Sequence, residues 1–153
     1  MEGVAVFNLY ELSQEIAFNV DEWSKIISDA SAVIYQFPFY WMSAPSLLKK
    51  WQDEVFTFLS KTPAVAGKSL TVVTTTGSEY EAYRSGGRNR FTTDELLRPY
   101  QVSAIHSGMS WQTPIVVYGM GTADAGKNIA EGANLYKQRV EMLIGNSNAG
   151  NNW

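Results

Sequence analysis

Two runs decide the fold: SAVIYQF (31–37) and SLTVVTTT (69–76). Both are rich in β-branched and aromatic residues, and neither alternates cleanly between apolar and polar. A strand with one wet face alternates. Near-continuous apolarity means that both faces are covered, as in a parallel sheet. VAVFNLY (4–10) and TPIVVYGM (113–120) have the same character and are expected to be strands too. Helical spacing separates them. Residues 21–29 open on Asp21, a candidate N-cap. Residues 44–60 place Leu47, Leu48, Trp51, Val55, Phe56 and Leu59 on one face. Residues 93–107 begin Thr-Asp-Glu, which suits the positive end of a helix dipole, and Pro99 predicts a kink or a second start. Residues 124–144 form the last pattern, with Gly145 as its expected stop. The alternation of strand and helix predicts an α/β fold, a doubly wound parallel sheet with right-handed crossovers.

Length and composition bound the rest. At 153 residues the chain is one domain, expected over 1–144, with the Asn/Gly-rich stretch 145–153 as a polar, frayed C-terminal tail. A net charge of −3 gives no global attraction for nucleic acid or an anionic membrane surface. With no Cys, thiolate catalysis, disulfides and zinc-thiolate sites are excluded, and one His leaves no multi-histidine metal site, so no metal is expected. No apolar run reaches the roughly 20 residues of a membrane span, and the first residues lack the features of a signal peptide. A cytoplasmic protein is expected, with no nucleic-acid partner and no membrane insertion.

Ligands of open α/β sheets bind at the carboxyl ends of the strands, so the segments that follow the runs carry the functional reading. FPFYWMSAP (37–45) holds aromatics between two prolines. It reads as a shelf for a planar ring, or as a hydrophobic plug or subunit contact. TTTGSEYEAYRSGGRNRF (74–91) closes a strand on small residues; Gly77 permits close backbone approach, and a cationic RSGGRNR segment follows. It reads as an ordinary long surface loop or as a lid. His106 reads as a buried or C-capping residue, Lys49 and Lys50 as solvated, and Met109 and Trp111 as core. No GxSxG, Walker loop or GxGxxG is present.

Three segments in register carry a family resemblance. FPFYWMSAPSLLKKWQDEV (37–55) resembles the HPLYWYSxPALLKxWxDRV segment of flavodoxin-like NAD(P)H:quinone oxidoreductases. That group includes the modulator-of-drug-activity proteins and the ancillary flavoproteins of potassium efflux. GKSLTVVTTTGSEYEAY (67–83) and RNRFTTDELLRPYQVSAIHSGMSWQTPIVVYGM (88–120) resemble the segments that follow in the same family. The resemblance implies a homodimer with the site near its interface, FMN or FAD at the carboxyl edge of the sheet, NAD(P)H as co-substrate and a quinone as acceptor. It places Pro38, Phe39, Tyr40 and Trp41 along the flavin ring, with backbone N–H groups reaching its N5 and O4 side. It places Thr75, Thr76, Gly77 and Ser78 at the pyrimidine edge, and Tyr83 beside the flavin and the quinone as the catalytic residue. The protein's part in such chemistry is a stacking platform, donors and water exclusion.

The departures from the family pattern are informative. Ser78 stands where the pattern has a second Gly. Arg88, Asn89 and Arg90 stand near a position where some members carry His, and are candidate NAD(P)H or substrate contacts, with Arg88 or Arg90 expected to stabilise negative charge. VAVFNLYEL aligns with the family's second strand, so the usual first β-α unit and its phosphate-holding loop have no counterpart. Three arrangements follow: a fragment or misplaced start, a partner chain that supplies a strand, or the 4–10 run moved into the empty position to make a four-stranded sheet. The last is expected of a chain that folds alone, with poor affinity for a whole flavin nucleotide. The alternative function is a degenerate flavodoxin-like binding or regulatory module that no longer holds flavin tightly; an electron-transfer flavodoxin ranks third.

Overall fold

The computed structural model describes residues 2–12 and 17–150. In chain order the elements are α1 (Leu9–Leu12), α2 (Val20–Asp29), β1 (Ala32–Pro38), α3 (Ser46–Trp51), a π-helical turn (Gln52–Phe56), α4 (Thr57–Leu59) and β2 (Ser69–Thr75). A 3-10 turn (Tyr80–Tyr83), α5 (Thr93–Leu96), α6 (Arg98–His106), β3 (Ser110–Trp111), β4 (Ile115–Val117) and α7 (Ala125–Gly150) follow.

The sheet has four strands, all parallel, and β2 is its axis. β1 pairs with β2 from Ala32↔Ser69 to Pro38↔Thr75. The opposite edge of β2 is taken first by β3, at Ser69↔Ser110 and Leu70↔Trp111, and then by β4, from Val73↔Ile115 to Thr75↔Val117. The expected 113–120 strand is thus a broken one: Pro114, which has no N–H to give a ladder, lies in the gap. Two faces are covered, as the apolar runs predicted. Tyr35, Phe37, Leu70 and Val72 share one core with Trp23 and Ile27 of α2, Leu48 and Trp51 of α3, and Tyr100 and Ala104 of α6. On the other face α7 lies across β4. Gly132 comes so close that an added Cβ would sit 2.3 Å from Cγ2 of Val117.

The 4–10 run is not a strand, which corrects the expectation from its composition. Residues 4–8 have no regular structure and 9–12 are helical. The fourth strand comes instead from the break between β3 and β4. Among the described residues β1 pairs with β2 alone, so half of its backbone groups face an unpaired edge. A strand is a relation between two segments, and apolar composition cannot supply a neighbour.

Helix boundaries follow local chemistry. Asn19, not Asp21, caps α2; its side chain accepts from the N–H groups of Asp21 and Glu22. Thr92 and Glu95 form a reciprocal capping box at α5. The helical stretch breaks at Leu97, and Pro99 lies in the first turn of α6, where a missing N–H costs nothing. The 44–60 pattern is one continuous helical path with a π turn inside it. α7 passes through Gly145 to Gly150, so Gly145 is no stop and the stretch read as a tail is largely helical; residues 151–153 lie outside the described residues. No helix among the described residues is long and apolar enough to cross a membrane.

Two glycines of α7 should respond oppositely to alanine. At Gly145 nothing lies within 4 Å of the added Cβ, so Gly145→Ala should stabilise by about 0.5–1 kcal/mol through helix propensity. At Gly132 the methyl meets a stiff, buried β-branched side chain, and overpacking of about 1–3 kcal/mol should outweigh the same propensity gain. Urea midpoints of the two variants against the parent will rise for the first and fall for the second.

Candidate functional site

The β1–β2 ladder runs one bond past the strands, because the Phe39 N–H donates to the Thr75 carbonyl at 2.9 Å. That bond brings the two segments singled out by sequence side by side at the carboxyl edge. After it the chain makes a tight reversal. Tyr40 and Ser43 exchange backbone hydrogen bonds of 2.8 and 3.0 Å. The two residues between them, Trp41 (φ 47°) and Met42 (φ 64°), are both in the left-handed region. Two successive positive φ values match the hairpin turn that normally takes Asn-Gly, and neither residue is glycine. The far side of the reversal is pinned by the Tyr100 hydroxyl, which accepts from the Ala44 N–H at 3.2 Å and lies 3.3 Å from Ser43 Oγ. The result is a rigid presentation of Trp41, whose side chain is 98% exposed.

The Thr75–Ser78 turn is fixed from the opposite side by residues after β4. The Thr76 N–H donates to the Val117 carbonyl, the Met120 N–H to Thr76, the Gly121 N–H to Gly77 and the Gly119 N–H to Ser78, all between 2.8 and 2.9 Å. Thr76 Oγ1 also donates to the Ser78 carbonyl at 2.9 Å. These bonds consume carbonyls and leave the Gly77 and Ser78 N–H groups without an intramolecular acceptor among the described residues. Gly77 is exposed, and nothing lies within 4 Å of the position its Cβ would take. Gly121 is glycine for a steric reason: its Cβ would lie 3.0 Å from the Gly77 carbonyl oxygen.

Aromatic rings join the two turns. Phe39 and Tyr83 meet edge to face with centroids 6.2 Å apart, Tyr83 meets Tyr118 at 5.8 Å, and Tyr80 meets Tyr118 at 5.3 Å. Tyr83 is buried in this row. Tyr118 is held by Thr93, whose Oγ1 lies 2.7 Å from its hydroxyl. Burial pushes the Tyr118 phenol pKa up, and the bond to Thr93 offsets part of that. On the far side of the row a cavity of about 760 Å³ runs between Tyr83, Asp94, Pro114 and Arg139.

The loop after Tyr83 folds back on itself. The Asn89 N–H donates to the Ala82 carbonyl at 3.0 Å, and Gly87 lies so close to the Glu81 carbonyl that a Cβ would come within 2.1 Å of it. This return brings Arg88 over the second turn, where Nη2 donates to Ser78 Oγ at 2.5 Å. The departure at Ser78 and the arginine expected to supply charge are therefore a bonded pair. Asn89 Nδ2 is buried with no partner, and Arg90 is exposed in the left-handed region at φ 59°.

The structure thus brings together Phe39, Tyr40, Trp41, Thr75, Thr76, Gly77, Ser78, Tyr83 and Arg88. One expectation is corrected. The backbone donors of 38–41 are mostly spent, since Pro38 has no N–H, Phe39 donates to Thr75 and Tyr40 to Ser43. Trp41 alone keeps a donor free. The sequence reading missed Tyr118, Gly119 and Gly121, although small residues directly after a fourth apolar run were the available signal. His106 ends α6, exposed rather than buried, and Met109 is in the core as expected. Lys49 pairs with Asp53, and Lys50 lies 3.7 Å from Glu54. No cluster among the described residues has the makings of a metal site.

The sequence matches a family described as having a flavodoxin-like fold over residues 2–140. An uncharacterized NAD(P)H oxidoreductase of Bacillus subtilis, YdeQ, is 35% identical over 144 residues, which make up 92% of this chain and 73% of that one. General stress protein 14 of Treponema denticola, solved in complex with FMN, superposes with a TM-score of 0.81 at 27% identity, covering 91% of this chain and 81% of that one. An NADPH-quinone reductase from P. pentosaceus superposes with a TM-score of 0.66 at 32% identity, covering 75% and 73%.

Two substitutions test how this edge is held. Met42→Gly removes a side chain from a left-handed position, worth roughly 1–2 kcal/mol, and should raise the thermal midpoint. Gly87→Ala should open the 84–90 return by steric clash and leave the core intact. Limited trypsinolysis should then cut faster at Arg84, Arg88 and Arg90 in Gly87→Ala, with an unchanged urea midpoint.

Proposed function

Because the chain belongs to the flavodoxin-like family matched over residues 2–140, we propose that it is a flavin-dependent NAD(P)H:quinone oxidoreductase. The observation that carries the reading is the juxtaposition of the two turns: an exposed, rigidly held Trp41 on one and free Gly77 and Ser78 N–H groups on the other, joined by the Phe39–Thr75 hydrogen bond. These residues fit the ring of a flavin. Trp41 and Tyr40 offer aromatic surface that water covers poorly. Gly77 and Ser78 offer two adjacent donors suited to ring carbonyls, and the Gly77 surroundings are open enough for close approach.

A bound flavin supplies a hydride acceptor at N5 that takes from NAD(P)H and gives to the quinone. The chain's own residues do the rest. The Tyr40–Ser43 hairpin orients Trp41, and the bonds from Gly119, Met120 and Gly121 fix the donors of the second turn before any ligand arrives, so little reorganisation is needed. Arg88, tethered to Ser78, brings a cation to the edge where negative charge gathers. Tyr83 backs the turn through Phe39, and its hydroxyl makes no hydrogen bond to a described residue, which leaves it available to a substrate. The proposal extends to a homodimer in which the partner covers part of the exposed aromatic turn, and to FMN as the flavin. An FMN-complexed neighbour and a relative named as an NAD(P)H oxidoreductase support the choice of FMN and NAD(P)H.

FMN titrated into the protein should lose fluorescence on binding, and the protein should then oxidise NADPH with menadione as acceptor. Trp41→Ala should weaken FMN at least tenfold, and Arg88→Ala should lower the potential of bound FMN with little change in affinity. Neither binding nor NADPH oxidation at millimolar FMN would sink the assignment. A second reading is a module that works by binding a partner, for which the wholly exposed Trp41 on its rigid turn offers a contact surface. A protein that stays inert at saturating FMN selects it.

A further inference from the structure

The outer edge of β4, on the side of the sheet away from β1, borders the cavity of about 760 Å³ behind the tyrosine row. Its walls all come from within residues 80–142: the Tyr80–Tyr83 turn, the start of α5, the 113–118 stretch and one face of α7. That face of α7 is unusual for a helix surface. Leu135 and Met142 are 55% and 46% exposed, and Arg139 lies between them, four residues after one and three before the other. Two large apolar side chains thus flank a cation over an open cleft. The Tyr80–Tyr83 wall repeats the pairing of apolar surface and cation. Arg84 lies over the Tyr80 ring, 5.4 Å from its centroid, and Tyr80 meets Tyr118 edge to face.

Both guanidiniums are held in place with donors to spare. Arg139 Nη1 donates to the Thr113 carbonyl at 2.7 Å, which fixes the group at the cleft and leaves its other N–H donors without an acceptor among the described residues. The Tyr80 ring takes the face of Arg84 and leaves the donors along its edge. Neither arginine forms an ion pair among the described residues. The backbone adds one more donor. The Val117 carbonyl accepts from the Thr76 N–H and so faces β2. Alternation along a parallel strand then turns the Val116 N–H and carbonyl outward, to the cleft. The one carboxylate among the lining residues is Asp94. Two arginines against one aspartate leave the lining one positive charge in excess, in a chain whose net charge is −3.

We propose that this cleft is a binding site for a small planar aromatic carboxylate. The chemistry of the ligand follows from the walls. The tyrosine row, Pro114, Leu135 and Met142 cover a flat apolar ring system. A carboxylate brings two oxygens to the forked donors of Arg84 and Arg139 and to the Val116 N–H. A neutral aromatic gains only the apolar contact. An aliphatic anion gains only an ion pair in a cleft open to water, where such a pair alone is weak. The volume falls within the roughly 300–1,000 Å³ of small-molecule sites. None of Phe39, Trp41, Gly77 and Ser78 lines the cleft, so a ring at the carboxyl edge and a ligand here are held by different residues, with Tyr83 as the wall between them.

The test uses the whole protein with no flavin added. 2-Naphthoate should bind saturably at 1:1 by calorimetry and shift the backbone amide signals of 115–118 and 138–142 rather than those of Trp41, Gly77 and Ser78. 2-Naphthamide, which has the same rings without the charge, should bind at least tenfold more weakly. Arg84→Met and Arg139→Met should each weaken naphthoate at least fivefold and leave naphthamide binding unchanged, and the double variant should bind the two probes equally. Trp41→Ala should bind naphthoate as the parent does. Equal binding of the two probes by the parent would overturn the proposal, as would unchanged naphthoate binding in the double variant or no binding at millimolar naphthoate. Loss of binding in Trp41→Ala, with shifts at Trp41, Gly77 and Ser78, would place the carboxylate at the carboxyl edge and overturn it too. None of these outcomes decides whether the parent binds FMN, so the flavin reading stands or falls by its own titration.

Discussion

Everything in this molecule hangs on the parallel ladder between β1 and β2, seven residue pairs long and extended by the Phe39–Thr75 bond. Parallel pairing is nonlocal, so it forms only with a crossover, here the helical path from α3 through α4. Once made, it fixes the core, because Tyr35 and Phe37 on one strand and Leu70 and Val72 on the other then point into the same layer of helices. It also fixes the site, because both strands end together and release their following turns at the same edge. A slip of one residue would turn Tyr35 and Phe37 away from Trp51 and Tyr100 and part the two turns as well. Core and site are specified by the same register.

That coupling explains what could be read from sequence. The two central runs were legible because each is apolar enough to demand cover on both faces, and their turns had to follow. The same logic failed at 4–10, where Val4, Val6 and Phe7 have strand composition but pair with no strand among the described residues. It failed in part at 113–120, where the backbone makes two short strands on successive halves of β2. It failed at Gly145 because a glycine ends a helix only where the chain turns left-handed, and here it stays helical. Local periodicity reports what a segment prefers. The partner that lets it express the preference is a tertiary fact.

The candidate site divides along the same line. Trp41, Gly77 and Tyr83 could be singled out from their loops and a family resemblance. Tyr118, Gly119 and Gly121 were not, because the only local signal was small residues at the end of an apolar run, and their part in bracing a turn some forty residues earlier is tertiary. Ser78 and Arg88 looked like unrelated departures from a pattern until the loop's return brought them to 2.5 Å. Sequence reading finds residues that resemble ligands' partners more readily than residues that hold those partners still.

Violations of local rules give a test that owes nothing to resemblance. A chain shaped by stability alone would put glycine or asparagine at Trp41 and Met42, and would leave few buried donors without acceptors. Among the described residues, the non-glycine residues with positive φ are Trp41, Met42 and Arg90, all in loops at or following the carboxyl edge. Of the five orphaned buried polar atoms among the described residues, Thr74 Oγ1 and Asn89 Nδ2 lie towards the same end. Tyr35 Oη, Trp51 Nε1 and Thr71 Oγ1 lie elsewhere in the interior. Each such atom costs about 1–3 kcal/mol against a satisfied or apolar alternative, a large share of the 5–15 kcal/mol by which domains are stable. Costs of that size, set beside the left-handed Trp41, Met42 and Arg90, mark the carboxyl end of the sheet as a surface whose shape answers to something other than the fold.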